Sequence, residues 1–411
     1  MSRNPLGPVA VPAAADWTAL AEAIAGEVIL PGSPGYELAR RPAIARFHDT
    51  RPRAVVRCQV PADVAETIAL ARRHRIPAAV RSGGHSFAGR SSTAGIVIDV
   101  SPMGSVSAAG AVATAGGGTR LGALYDTLAG QHLTVAGGCG PTVGVAGLTL
   151  GGGLGILGRV HGLTCDQLLA AQVVLADGRV AECDDRREPG LFWALRGAGG
   201  GNFGVVTSLT FRTVPAPAAT SFHLTWPHRH AVSVVEAWQA WAPAAPGELA
   251  ASLLLTAAGE AGQPPAVHVF GTMLGTESAA TALLDALAAR AGADPASAFA
   301  QHLPYHETKQ YLTRLGDQMR EPAPGQSAAN EQAAAEGQPA AEGHDFSKSE
   351  FFARPLSGDA IAALVAGFGR ERPAGQSREL DFTPWAGAYN HPPPTPPPSR
   401  TAMRSSCSST R

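Results

Sequence analysis

The feature that most limits the fold is the run Gly137-Gly138-Cys139-Gly140-Pro141-Thr142-Val143-Gly144-Val145-Ala146-Gly147-Leu148-Thr149-Leu150-Gly151-Gly152-Gly153-Leu154-Gly155. Each glycine inside a helix costs ~1 kcal/mol relative to alanine, so no ordinary helix or strand is expected across it. A chain that keeps such a run needs a compensating source of stability, and a large bound cofactor supplies one. Further glycine clusters at 116–118 and 197–204 fit ligand-cradling loops better than disorder.

A second glycine turn stands upstream. Ile76-Pro77-Ala78-Ala79-Val80 reads as a short apolar strand and delivers the chain into Arg81-Ser82-Gly83-Gly84-His85-Ser86. Adjacent glycines let backbone approach a flat or charged ligand without Cβ obstruction. By itself His85 reads either as a turn residue or as a nucleophile, hydrogen-bonding group or covalent anchor.

The 411 residues predict two or three domains with a sizeable core. Charge is balanced, 32 basic against 33 acidic residues, which gives no sign of a nucleic-acid partner. The cysteines (58, 139, 165, 183, 407) show neither CxxC spacing nor a secreted disulfide pattern, and no metal site is expected. Glycine and charge break every apolar stretch, so no membrane helix is expected. The start of the chain lacks a basic and then apolar signal. A cytoplasmic protein is the resulting expectation.

In chain order, Asp16 is expected to cap a helix over 17–25. A strand over 52–59, a helix over 64–74 and the strand 76–80 form a strand–helix–strand unit ahead of His85. Strands follow at 96–100 and 111–115, then a helix at 121–128. Strands at 168–176 and 180–182 flank a hairpin turn at Asp177-Gly178. A helix at 191–195 and an alternating strand at 205–211 complete this half. Gly199–Gly204 spells G-x-G-x-x-G, but it follows a helix and precedes a strand, the reverse of the dinucleotide fingerprint. These glycines either let amides approach a pyrophosphate or close-pack a turn. Beyond Pro217, strands at 222–226, 251–255 and 267–271 alternate with helices at 231–241 and 277–290, and a helix follows at 358–368. Residues 320–345 read as a flexible loop. The stretch 391–411, Pro-rich and then Ser/Arg-rich, reads as an aberrant disordered tail, explicable by a frameshift soon after Asn390.

The motifs at 81–86 and 141–155, with Arg159, His161-Gly162-Leu163, Asp166 and Gly199–Val206, resemble the berberine-bridge-enzyme-like FAD-linked oxidases of the vanillyl-alcohol-oxidase (PCMH-type) group. The resemblance is strong over 46–216. It continues more weakly through Tyr305, 346–349 and Trp385-Ala386-Gly387-Ala388-Tyr389-Asn390. It implies an α+β fold: after an N-terminal segment (1–45), a two-subdomain PCMH-type FAD-binding domain over 46–216, then an α+β substrate domain with an antiparallel sheet over 217–390.

The implied cofactor is FAD, joined covalently through His85. The implied cofactor-binding residues are Arg81, Ser82, Gly83, Gly84, His85, Ser86, Cys139, Gly140, Thr142, Val143, Gly144, Gly147, Leu148, Gly152, Gly153, Gly155, Gly162, Leu163, Asp166, Gly201, Asn202, Gly204 and Val206. Members with a second, cysteinyl link carry Cys directly before the Pro. Here Gly140 stands there and Cys139 one residue earlier, so Cys139 is either a second link or a buried inert thiol. The implied reaction moves a hydride from an alcohol, sugar or amine-type small molecule to flavin, with oxygen as acceptor. The family's usual tyrosine base lies in a C-terminal stretch that this sequence does not reproduce. Tyr389, Tyr305 and Lys348 are then the catalytic candidates, against core or surface roles for each. Two alternatives stand beside this reading: a C-terminally altered relative with impaired catalysis, and a non-enzymatic ligand-binding protein.

Overall fold

Short apolar runs separated by glycine turns build two units, seen in a computed structural model that describes residues 12–258, 265–320, 347–370, 372–373, 376–391 and 407–410. One unit holds the described residues of 1–153 and 167–214. The other holds those of 154–166 and from 215 onward.

The first unit starts with α1 (Ala14–Ala23), β1 (Glu27–Ile29), α2 (Tyr36–Arg40), β2 (Ala54–Arg57), α3 (Pro61–Arg73), β3 (Ala78–Arg81) and β4 (Ile96–Asp99). The four strands form one sheet in the order β1-β2-β4-β3, with β2 and β3 both parallel to β4. The expected strand–helix–strand unit is therefore β2-α3-β3, with β4 inserted between its strands. Ala54, Val56, Val64, Ile96 and Ile98 are fully buried in its core. Asp63 caps α3 by accepting from Val60 N at 3.3 Å, and it also accepts from Gln59 N at 2.8 Å and from Ala25 N at 2.9 Å. Asp16 is not the cap residue expected of it. Helix α1 begins at Ala14, and the Asp16 carboxylate reaches back to Ala13 N at 2.8 Å, so the carboxylate still serves the orphan amides from inside the first turn.

The second sheet of this unit comprises β5 (Val106–Ala109), β6 (Val112–Gly116), β8 (Leu168–Val174), β9 (Val180–Asp184) and β10 (Val205–Arg212), antiparallel in the order β5-β6-β10-β8-β9. Around it lie α4 (Leu121–Ala129), β7 (Leu133–Thr134), α5 (Val145–Leu150) and α7 (Pro189–Leu195). The Asp177-Gly178 hairpin forms with Gly178 at φ +90°. Helix α5 corrects the expectation that the glycine run excludes helix. Gly144 and Gly151 sit at its ends, Gly147 alone lies inside, and Val145, Ala146, Thr149 and Leu150 are buried. Packing outweighs the propensity cost over one and a half turns.

The other unit takes α6 (Gly158–His161) from the middle of the chain. After β11 (Val214–Pro215) come β12 (Ala219–Pro227), α8 (Ala231–Trp241), β13 (Leu249–Ala257), β14 (Ala266–Met273), α9 (Glu277–Ala291), β15 (Ser297–Leu303), α10 (Tyr305–Arg320), β16 (Ser349–Phe352), α11 (Gly358–Gly369), β17 (Arg378–Thr383) and β18 (Cys407–Thr410). Seven strands form an antiparallel sheet, β15-β12-β14-β13-β17-β18-β16. Alternation sends Phe222, Leu224 and Trp226 into a core with Val234, Val235 and Trp238 of α8.

Several elements escape the sequence reading, among them α2, β5, β15, α10 and β17. Strand β15 is a largely exposed edge, and α10 is a polar helix whose buried residues are Tyr305, Thr308, Lys309, Leu312 and Leu315. Within the expected disordered tail, Cys407–Thr410 is a strand paired on both sides; residues 392–406 and 411 lie outside the described residues. Of the expected flexible loop, Arg320 closes α10, and 321–345 lie outside the described residues, as do 1–11. No described helix is long and apolar enough to cross a membrane. Among the described residues no three His, Cys, Asp or Glu side chains are grouped to hold a metal ion.

On the sheet face away from Phe222 and Trp226, His223 Nε2 lies 3.0 Å from His268 Nδ1. The rings stack at 5.3 Å, and His268 Nε2 lies 3.1 Å from Thr256 Oγ1. Burial, reinforced by the neighbouring His223, pushes the His268 pKa down to about 4, and burial lowers His223 as well. The unfolded chain binds these protons near pH ~6.5 and the folded chain only at lower pH. Stability from this pair is therefore complete above about pH 6.5 and is lost as pH falls toward 4. Urea-unfolding midpoints should drop across that window, and His268→Gln should reduce the slope. An unchanged slope would remove the pair as its source.

Candidate active site: two interlocked glycine loops

At the end of β3 the Arg81 side chain is buried and turns back on its own sheet. Its Nε donates to Ser91 O (3.0 Å), Nη1 to Ala39 O (2.7 Å) and Nη2 to Arg40 O (3.0 Å). Burial lowers its pKa, against the opposing pull of Asp99. The guanidinium thus fixes the strand end through the main-chain carbonyls of residues 39, 40 and 91.

With that end fixed, Ser82-Gly83-Gly84 meets Thr142-Val143-Gly144 backbone to backbone. A Cβ on Gly83 would collide with Gly144 N and lie 2.7 Å from Thr142 O. One on Gly144 would collide with Ser82 Oγ and lie 2.5 Å from Gly83 N. Gly84, at φ +74°, completes the turn. The opposing loop is strapped to 119–122: Leu121 N donates to Val143 O (2.9 Å), Gly122 N to Pro141 O (2.9 Å) and Val145 N to Thr119 O (2.8 Å). Where the loops touch, His85 Nε2 lies 3.0 Å from Thr142 Oγ1. Burial first, then the positive charge of Arg120, lowers the His85 pKa, so the imidazole is neutral at neutral pH. Ser82 Oγ is buried without a hydrogen-bond partner, an arrangement that costs ~1–3 kcal/mol unless a ligand atom meets it. Ser86 Oγ is used locally, accepting from Arg90 N at 3.1 Å.

The other expected cofactor residues divide by environment. Gly147 and Gly201 have open space where a side chain would stand, and Gly152, Gly153 and Gly201 need positive φ. Cys139 and Gly140 are half-buried, and Cys139 lies beside the buried Tyr125, whose hydroxyl donates to Gly138 O at 2.8 Å. Val143 and Leu148 pack on the second-sheet core, and Val206 is part of it. Asn202 Nδ2 donates to Ala198 O at 2.7 Å. At φ +144° Gly204 presses on Val174 O, which a Cβ would approach to 2.5 Å. Of the two readings left open for 199–204, close packing holds at Gly204. Arg120 was missed; its effect on His85 spans 35 positions of sequence and leaves no local signal.

Gly155, Gly162, Leu163 and Asp166 belong to the other unit. There Asp166 Oδ2 accepts from Leu163 N at 2.8 Å, and Gly162, at φ +81°, leaves room for that carboxylate. The catalytic candidates also lie in this unit, each among its own neighbours. Tyr389 Oη donates to Gly155 O at 2.9 Å, and burial drives its pKa up to about 12, against the opposing effects of that bond and of Arg159. Tyr305 is buried at the start of α10, with Lys309 Nζ 5.3 Å from its ring centre. Lys348 is exposed and pairs with Glu350 at 3.0 Å.

Comparison with known proteins agrees with this geometry. Residues 52–184 match the model of the FAD binding domain. An uncharacterized FAD-linked oxidoreductase, YvdP of Bacillus subtilis (strain 168), is 41% identical over 228 residues, 54% of this chain and 50% of that protein. The (R)-6-hydroxynicotine oxidase of Paenarthrobacter nicotinovorans is 40% identical over 201 residues, 47% of this chain and 43% of that protein. The chain thus spans about half the length of the curated relatives it matches. The wild-type BBE-like 1 structure from Physcomitrella patens superposes with a TM-score of 0.79 at 25% identity, over 96% of this chain and 82% of that one. Because Gly144 has no room for a side chain, Gly144→Ala should part the two loops, destabilise the protein by ~1–3 kcal/mol and abolish flavin retention. Far-UV circular dichroism and the flavin absorbance of the purified protein check this.

Proposed function

With the FAD binding domain of the FAD-linked oxidoreductases as its premise, we propose that this chain is an FAD-dependent oxidase that holds its flavin covalently through His85. FAD, when bound, supplies the hydride acceptor. The observation that carries the proposal is the loop junction, where a neutral imidazole, an unpartnered buried hydroxyl and side-chain-free backbone stand together. These residues fit the group.

The chain's own part in holding it follows from the tautomer. Thr142 Oγ1 engages Nε2 of His85, and Nδ1 makes no hydrogen bond among the described residues. With the proton on Nε2 donated to Thr142, the Nδ1 lone pair would replace a hydrogen on the activated methyl carbon of the flavin, the proton passing to solvent and the electron pair to the flavin and on to oxygen. Ser82 Oγ and the open positions at Gly147 and Gly201 allow polar contact and close backbone approach to the rest of the cofactor. Cys139 is not needed for a single link. The substrate is a small molecule bearing an oxidisable alcohol, hemiacetal or amine carbon, and oxygen is the acceptor.

The test is the colour of the purified chain: a flavin band that stays with the protein after acid precipitation. His85→Ala should release all acid-stable flavin, and Thr142→Val should slow its incorporation. A colourless wild-type protein, or acid-stable flavin in His85→Ala, overturns the proposal.

A further inference from the structure

Within the second unit lies a cavity of about 200 Å³. Val235 and Trp238 of α8 and Phe382 of β17 bring core side chains to its lining, and Phe352 of β16 and Trp385 add two partly exposed rings. Trp385 is held from two sides: it meets Phe351 edge-to-face (5.5 Å, 89°) and stacks on Tyr389 at 4.7 Å. The aromatic lining is therefore preformed, and a flat apolar ligand would meet little ordering cost there.

The polar groups of the lining fall into two sets. Trp238 Nε1 donates to Ala251 O at 3.1 Å, and the Gln239 amide makes two bonds with the Leu356 backbone, Nε2 to O and N to Oε1, both 2.9 Å. Those groups are spent. The Trp385 indole N–H and the guanidinium of the exposed Arg354 have no hydrogen-bond or ion-pair partner among the described residues. Both can only donate, and no acidic residue lines the cavity. The complementary ligand is apolar and flat over most of its surface and ends in an anionic acceptor. The space slightly exceeds the ~150 Å³ apolar cavity that holds a benzene ring. We propose that this cavity binds a single-ring aromatic carboxylate, its ring among Trp238, Phe352, Phe382 and Trp385 and its carboxylate on Arg354 and the Trp385 N–H. The site shares no residue with the loop junction and stands independently of the flavin reading.

The probe is phenylacetate, titrated calorimetrically into the full chain, with benzyl alcohol as its uncharged counterpart. Phenylacetate should bind once per chain and roughly tenfold more tightly than benzyl alcohol, because charge-assisted hydrogen bonds are the stronger kind. Arg354→Gln should erase that preference and leave benzyl alcohol binding in place. Ala353→Trp, at an exposed position of the lining, should fill the cavity and abolish binding of both probes. The Trp385 indole N–H resonance, identified by its loss in Trp385→Phe, should shift during the titration, which locates the ligand in the wild-type protein itself. A stationary Trp385 resonance, no saturable phenylacetate binding below ~10 mM, or binding retained in Ala353→Trp overturns the site. Equal wild-type affinity for the two probes, or a preference that survives Arg354→Gln, overturns the carboxylate assignment.

Discussion

The contact between Ser82-Gly83 and Thr142-Gly144 is the constraint on which the first unit depends. Two loops from different sheets approach until main-chain atoms touch, a distance open only to glycine. Such closeness needs rigid supports, and each loop has them. Arg81 binds the end of β3 to carbonyls at 39, 40 and 91, while backbone bonds hold 141–145 against 119–122. His85 gains its orientation from this arrangement, because Thr142 is carried by the opposing loop. Neither loop alone would place the imidazole.

Much of this was legible in the sequence, for identifiable reasons. Period-two alternation at 205–211 and 222–226 and helical spacing at 231–241 survive in the structure because one face of each packs on a core. The glycine motifs at 81–86 and 141–155 marked the two loops that the structure brings into contact, because few other local features need adjacent glycines. The failures are equally physical. Helix α5 was hidden because glycine propensity argued against a helix that tertiary packing supports. Helix α10 was hidden by a narrow apolar stripe on a polar sequence. The roles of Arg81 and Tyr389 depend on partners 10 to 234 positions away, and no local pattern announces such contacts.

Tyr389 also shows how a residue type can mislead. A tyrosine close to the end of a flavoenzyme-like sequence invites a base assignment. A base must shed its proton near the working pH. Here burial drives the Tyr389 pKa up to about 12, and the ring and hydroxyl are packed against Gly158 and Gly155.

The interleaving of the two units bears on how the chain is made. Gly155 is synthesised 234 positions before the tyrosine that engages it, a delay of roughly ten to fifty seconds at ~5–20 residues per second. The first unit can finish its sheets once Val214 has emerged, while its own insert at 154–166 must wait, unpartnered, for the rest of the second unit. Neither unit can be excised as one uninterrupted stretch, so a nascent chain carries a finished half whose connection between α5 and β8 only late folding secures.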